Sequence, residues 1–498
     1  MNVNPITRLD YPDPDVIRVE DTYYMVSTTM HFMPGCEILQ SFDLVHWEHV
    51  TYVYETLDHT DAQQLKSGQN IYGQGMWAAS LRYHEGRFCI CFVANDTRKT
   101  YLYTSEKIDG PWKKQLIEGF YHDGSLLFDE DGRNYIVYGN DEIWITELNE
   151  DLTAPKKDGL HRLLVSDHKN PELGYEGSHI QKINGYYYIF LVHSLRDRWM
   201  RTEACFYSDS LEGEFTGGDV LCDDRGYCGQ GVAQGGIVDT PDGKWYAILF
   251  QDSGAVGRIP ILLPVTWKDH FPFFGQNGHV PEEIEVHSTR PGYIYQPLVG
   301  SDDFCNGLLP RWQFNHDPDP RYYHLDALQG TYTITTREVC TELTQAVNTL
   351  TQRMSYPSCA AEVTVDASAL KEGDVAGLCA LQGCYAAVGI TKHHGKYEVL
   401  MLDKKEDGIL DMTEGTVVES HQMDFRLEAD FCNMKDEARC YYRVNKGDWL
   451  PIGTVHKLYF KLDHFTGCRF GLFCYAAEET GGSACFRDFK YYDVDEIS

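Results

Sequence analysis

Three carboxylic acids recur at one kind of place in this sequence. Asp13 stands in PDPDVIRVEDTYYMVS, Asp123 in HDGSLLFDEDGRNYIVYG and Glu176 in YEGSHIQKINGYYYIF. Each heads a short segment that reaches a tight polar turn and then a strand rich in aromatic or aliphatic residues. Acids brought together repel, and their pKa values split. A pair split in this way can supply a proton donor and a base at one pH. Glycoside hydrolysis needs such a pair: one acid protonates the leaving oxygen, and the other carboxylate attacks the sugar or activates water. A third acid can tune and orient the donor. The same three groups could instead hold calcium, which prefers oxygen ligands, or form a solvated, inert rim.

The elements that would position them form a repeat. WAASLRYHEGRFCICF and VAQGGIVDTPDGKWYAILF complete a set of five such hairpins. Aligned on their turns, one column holds Asp13, Ala78, Asp123, Glu176 and Gln234. The next holds Pro14, Ala79, Gly124, Gly177 and Gly235, and the third Asp15, Ser80, Ser125, Ser178 and Gly236. Repeats of roughly 40–60 residues, each a small antiparallel sheet, predict a β-propeller, and five copies predict five blades. The innermost strand of each blade lines the axis, so the first-column residues are expected to converge at one mouth. Helical periodicity is nearly absent, which makes the class all-β. Residues 1–295 are assigned to the propeller. After Glu285 the repeat stops and GYIYQPLVGSDDF reads as a connector. Alternating segments such as CAAEVTVDAS, YEVLMLDKK and HKLYFKLDH predict a jelly-roll-type β-sandwich over 302–498.

Bulk properties narrow the partners. A formal charge of −32 disfavours nucleic acid and anionic membrane surfaces. No run of about 18 apolar residues suggests a membrane span. MNVNPITRLDYPDPD has neither a basic nor an apolar leader segment, and the 16 cysteines form no CxxC pair. Together these predict free thiols and a cytoplasmic location. The 33 tyrosines and 9 tryptophans suit a β-core and also suit stacking on sugar faces. The oligomeric state is not legible.

YPDPDVIRVEDTYYMVSTTMHFMPGCEILQSFDLVHWE, WAASLRYHEGRF, DGSLLFDEDGR, EGSHIQKINGYYY and VGRIPILLPVTW, in this order, resemble glycoside hydrolase family 43, the β-xylosidases and α-L-arabinofuranosidases. The tail from SDDF through PRWQFNHDPDP resembles the sandwich that follows the propeller in xylosidase-like members. The resemblance implies an inverting mechanism. Asp13 matches the general base, Asp123 the acid that tunes its neighbour, and Glu176 the general acid. Asp10 and Asp15 lie close to Asp13 in sequence, but register and motif select Asp13. Arg258 matches an arginine that contacts the sugar, and Trp77 a pocket-wall aromatic. Phe32 of HFMPG falls where xylosidases carry tryptophan in EWFPG, so an altered stacking surface is expected there. Gln234 stands where many members have histidine beside a central metal or water. No cofactor is required, while an amide oxygen at Gln234 could ligate Ca2+. HFMPG and AQGG lean toward an exo-acting α-L-arabinofuranosidase on short, arabinoxylan-type hemicellulose oligosaccharides, with β-xylosidase activity second. A dedicated β-1,4-xylosidase is the alternative. A non-catalytic carbohydrate-binding propeller and a phosphorolytic propeller enzyme are remoter.

Overall fold

The computed structural model describes residues 3–493 and is almost entirely β. Five four-stranded antiparallel sheets follow one another along the chain as up-and-down meanders. Their innermost strands are Asp15–Val19, Met76–His84, Ser125–Phe128, Glu176–Ile183 and Val232–Asp239. These are the first strands of the five hairpins. Asn184 and Gly185 take φ of 51° and 84° in the fourth hairpin, the left-handed pair that a two-residue turn needs.

A single blade cannot bury both of its faces. Each face is covered by the next blade, and the apolar side chains collect between them. Tyr54, Phe88 and Phe92 fill the space between blades one and two. Leu102, Leu126 and Ile136 join two to three, and Tyr135, Ile180 and Ile189 join three to four. Phe190, Ala247 and Ile261 join four to five. Val16, Tyr246 and Ile248 close five onto one. The N-terminal segment completes the ring by hydrogen bonds. Ile6 and Tyr11 N–H donate to the carbonyls of Pro260 and Arg258 at 3.2 and 3.0 Å, and Gly236 N–H donates to that of Pro14 at 3.1 Å.

The C-terminal unit is a sandwich of a nine-stranded and a seven-stranded sheet. Trp312, Phe425, Phe470 and Phe486 pack in its core. One of its strands comes from outside residues 302–498. Phe32–Met33, from the HFMPG loop of blade one, pairs antiparallel with Gln313–Asn315 and is the edge strand of the nine-stranded sheet. A propeller loop therefore finishes the sandwich. Arg353 of the sandwich reaches back, donating to the Asp10 carbonyl at 2.9 Å and pairing with Glu37 at 2.8 Å. HKLYFKLDH also differs. Its strand ends at Lys457, and Leu458–Cys468 form a loop that returns to the propeller. All 16 cysteines are free thiols.

Candidate active site

A cavity of about 570 Å³ opens at one end of the propeller axis. Asp13, Asp123, Glu176, Trp77, Arg258 and Gln234 all line it, and the sandwich loop adds Phe460, Leu462 and Phe465. The five blades thus bring the three acids together, while the sandwich supplies a wall.

Asp13 precedes the inner strand of blade one in the left-handed region, at φ 52°. It is 5% exposed. Arg258 Nη1 donates to its Oδ1 at 2.9 Å and Thr28 Oγ1 donates to its Oδ2 at 2.6 Å. The two other candidate bases are committed elsewhere. Asp15 accepts from Leu81 N–H and Arg82 Nη1, both at 2.7 Å, and meets His179 at 3.1 Å. Asp10 accepts from Arg258 N–H at 2.7 Å and Gly467 N–H at 2.8 Å. Of these three aspartates only Asp13 faces the cavity.

The structure corrects the register of blade four. Asp123 and Gln234 share Asp13's left-handed backbone, with φ of 48° and 61°, but in blade four that conformation belongs to Gly177, at 66°. The hydrogen bonds between blades agree. Asp15 accepts from Leu81 N–H, Ser80 Oγ from Leu126 N–H at 3.1 Å, and Ser125 Oγ from Ile180 N–H at 3.0 Å. His179, not Ser178, is thereby equivalent to Asp15 and Ser80. Glu176 therefore stands one residue outside the column of Asp13 and Asp123. The register shift between Glu176 and His179 is the one that lies between Trp77 and Ser80 in blade two, so Glu176 is the counterpart of Trp77. The signal was present in the sequence: Glu176 lies one residue farther from Asn184 than Asp13 lies from Glu20 or Ala78 from Glu85. Gly177 fills the vacated position because a Cβ there would stand 2.7 Å from Gln234 Cγ. Its N–H donates to Asp123 Oδ2 at 2.9 Å, linking one acid to the backbone beside the other.

His122, which the sequence reading did not single out, lies between two of the acids. Its Nε2 is 3.5 Å from Asp123 Oδ2 and 3.5 Å from Glu176 Oε2. Burial opposes charging the ring, but Asp123, Glu176 and Asp13 outweigh it and raise its pKa to about 9. Burial pushes Asp123 up to about 6, opposed by His122 and the Gly177 N–H and reinforced by Glu176 and Asp13. Asn140 Nδ2 donates to Glu176 Oε2 at 2.8 Å. His122, Asp123 and Glu176 bring one donor atom each within 4.8 Å of one another. With the imidazole protonated, the positive charge at that point is the protein's own.

The aromatic candidates separate. Trp77 lines the cavity, its ring 5.4 Å from that of Phe465. Phe465 also lies 4.5 Å from the Arg258 guanidinium. Phe32 is not on the wall. It is fully buried beside Leu343 and Phe473, with the Arg469 guanidinium 3.5 Å from its ring. The HFMPG loop carries it into the sandwich, and Phe465 from that domain is the aromatic that faces Trp77. In sequence, Phe465 follows directly on HKLYFKLDH, the segment whose alternation read as a strand. Gln234 sits on the floor against Gly177, its N–H donating to Glu203 Oε2 at 2.8 Å. A calcium ion takes six to eight oxygens with carboxylate charge among them. Burial raises the Glu203 carboxyl well above its usual range, which disfavours a charged ligand beside Gln234. That set does not fit calcium.

Comparison with known proteins agrees with this geometry. Residues 3–272 match the family described as "Glycosyl hydrolases family 43", and residues 301–492 match "Beta xylosidase C-terminal Concanavalin A-like domain". A solved structure from Bacteroides eggerthii described as "Bifunctional GH43-CE" superposes with a TM-score of 0.92 at 42% identity, over 98% of this chain and 63% of that one. This chain thus spans less than two thirds of that protein. A GH43 hydrolase engineered to display both endo-xylanase and exo-arabinofuranosidase activity superposes at a TM-score of 0.85 with 27% identity, over 99% of each chain. The "Beta-xylosidase" of Formosa agariphila is 26% identical over 99% of this chain and 89% of its own. A five-bladed propeller with acids at its mouth, followed by a concanavalin A-like sandwich, places this chain in glycosyl hydrolase family 43.

Proposed function

We propose that this family 43 hydrolase is an inverting, exo-acting pentosidase that releases terminal α-L-arabinofuranose from short arabinoxylan-type oligosaccharides, with β-xylose second. The observation that carries this reading is the separation of tasks in the cavity. Asp13 is held by Arg258 and Thr28 on blade one, while Asp123 and Glu176 share His122 on the opposite blades. Asp13 acts as the base that takes a proton from water, and Glu176 gives its proton to the leaving oxygen. Asp123 orients Glu176 through Gly177 and His122. No cofactor takes part. The sandwich loop walls one side of the cavity, which supports attack on chain ends.

Two features bear on the sugar. With Phe32 withdrawn into the sandwich, Trp77 faces Phe465 across the cavity, and Phe460 and Trp199 add further aromatic lining, an arrangement altered from the xylosidase motif. The names of the relatives favour the second reading, a dedicated β-1,4-xylosidase, since both the sandwich match and the Formosa relative carry the word xylosidase. Initial rates on 4-nitrophenyl α-L-arabinofuranoside and β-D-xyloside, measured side by side, decide between them. A higher kcat/KM on the arabinofuranoside supports the first reading, and a xyloside-only enzyme overturns it.

A further inference from the structure

Three buried histidines that the catalytic site does not use meet where the two domains dock. His31 comes from the HFMPG loop of blade one, His316 directly follows the sandwich strand Gln313–Asn315, and His464 lies in the loop Leu458–Cys468. His31 contacts both others, its ring centre 4.8 Å from that of His316 and 5.1 Å from that of His464. Tyr72 of the propeller completes the group, 4.5 Å from His316 and stacked on His464 at 5.1 Å. Rings of the two domains thus alternate around one cluster.

Every neighbour favours uncharged rings. His316 Nε2 accepts the Ile71 N–H across the domain boundary at 3.0 Å, a bond that a protonated Nε2 cannot accept. Neither ring nitrogen of His464 has a hydrogen-bond partner among the described residues. The Asn315 amide lies against His31 and His316, and its Nδ2 donates to the Tyr72 hydroxyl at 2.7 Å. The Arg469 guanidinium opposes a proton on His31 and on His464. The nearby carboxylates are held by other groups: Asp317 meets His59 at 2.6 Å, Asp463 accepts from Tyr459, and Glu342 pairs with Lys404. Cys379, beside Tyr72, is a thiol that burial keeps neutral. Burial, then the neighbouring imidazoles, hold His31 and His316 well below the ordinary 6.5, and burial with Arg469 holds His464 at about 3.

The cluster reaches the catalytic cavity through one loop. His464 adjoins Phe465, and the same loop brings Phe460 and Leu462 to the cavity wall. The end of the loop is tied by Gly467 N–H to Asp10 and by Cys468 N–H to the Ala255 carbonyl, both at 2.8 Å. His464 seats the part before those ties. We propose that His31, His316 and His464 form an acid-sensitive latch, whose protonation releases the loop from the propeller and takes the sandwich wall off the catalytic cavity. Because the closed state depresses these pKa values, its stabilisation is complete above about pH 6.5 and is lost as pH falls below it. Adjacent imidazolium rings repel, which drives the same opening. Each histidine that gains water on opening raises the open fraction about tenfold per pH unit in that range.

Hydrogen exchange of the intact chain, read by mass spectrometry and corrected for the intrinsic pH dependence of exchange, measures the opening of residues 458–468. Between about pH 6.5 and 4.5 the protection of this segment should fall by about tenfold or more per pH unit, while Tyr186–Ser194 of blade four keeps its protection. His464→Phe keeps a ring to stack on Tyr72 and removes one proton site, so its fall should be shallower by about tenfold per pH unit. His31→Phe makes the same comparison from the propeller side and should also flatten the fall. The same pH slope in the parent and in both variants overturns the latch. A parent segment that keeps its full protection down to about pH 4.5 overturns it as well.

Discussion

Asp10 supports the site without touching the cavity, and its removal has a calculable effect. Its carboxylate accepts the N–H of Arg258, whose guanidinium holds Asp13, and the N–H of Gly467, which ends the loop carrying Phe465. It is 5% exposed, and Arg258 and Gly467 belong to different domains. Asp10→Ala leaves two buried N–H groups unpaired, each costing roughly 1–3 kcal/mol. Burial raises the Asp10 pKa, so relief of a buried charge offsets part of that cost and about 2–4 kcal/mol remains. Both the Asp13 clamp and the Phe465 wall lose an anchor, and a displacement of about 1 Å costs roughly 10²-fold in rate. Asp10→Ala should lower the melting temperature and reduce kcat/KM on an aryl pentoside by about 10–100-fold. Asp10→Asn keeps one acceptor oxygen and should lose about half as much stability. The assay is differential scanning fluorimetry beside initial-rate kinetics. An Asp10→Ala enzyme with the parent's melting temperature and kcat/KM would show that Asp10 anchors neither Arg258 nor the Phe465 loop.

Other expectations concern the acids and their neighbours. Arg258→Met removes one partner of a buried pair, should cost about 3–5 kcal/mol, and should be partly rescued in stability by adding Asp13→Asn, read by thermal melts of the double-mutant cycle. For His122 the folded pKa of about 9 exceeds the ordinary 6.5, so its stabilisation is complete below pH 6.5 and is lost as pH rises through about 9. The melting-temperature gap between parent and His122→Phe should therefore shrink across that window. The same variant loses the cation that lowers the Asp123 pKa, so the Asp123 carboxyl should protonate at higher pH than its parent value of about 6, read by carboxyl NMR titration of the two proteins. Gly177→Ala places a Cβ 2.7 Å from Gln234 at φ 66°, whereas Gly185→Ala, at φ 84°, meets nothing within 4 Å. Kinetics on the two variants should show a loss of activity confined to Gly177→Ala.

Much of this could be read in the sequence, and the reasons for the rest are physical. Five turns with aromatic strands behind them gave five blades, because a propeller repeats one local unit. Asp13 and Asp123 were placed by counting from those turns. Glu176 was misplaced by one residue because the alignment matched residue types at the head and passed over the longer distance from Glu176 to its turn, which makes it the counterpart of Trp77. Phe32 and Phe465 changed sides because they depend on how the two domains dock. Phe32 leaves the propeller to become an edge strand of the sandwich, and Phe465 leaves the sandwich to wall the cavity. No periodicity within either segment encodes an exchange between domains. His122 lay next to Asp123 in plain view, but its role depends on Glu176, 54 residues later in the chain, being carried to within 3.5 Å of it.

The central claim is that Glu176 is the proton donor to the departing oxygen. It is tested most directly by Glu176→Gln assayed on two substrates with the same pentose, one with an alkyl or sugar leaving group that needs protonation and one with a dinitrophenyl group that does not. The expected result is a fall of about 10²–10⁴ in kcat/KM on the first, a far smaller fall on the second, and an unchanged melting profile. An equal loss on both substrates, or undiminished turnover of the first, would contradict it.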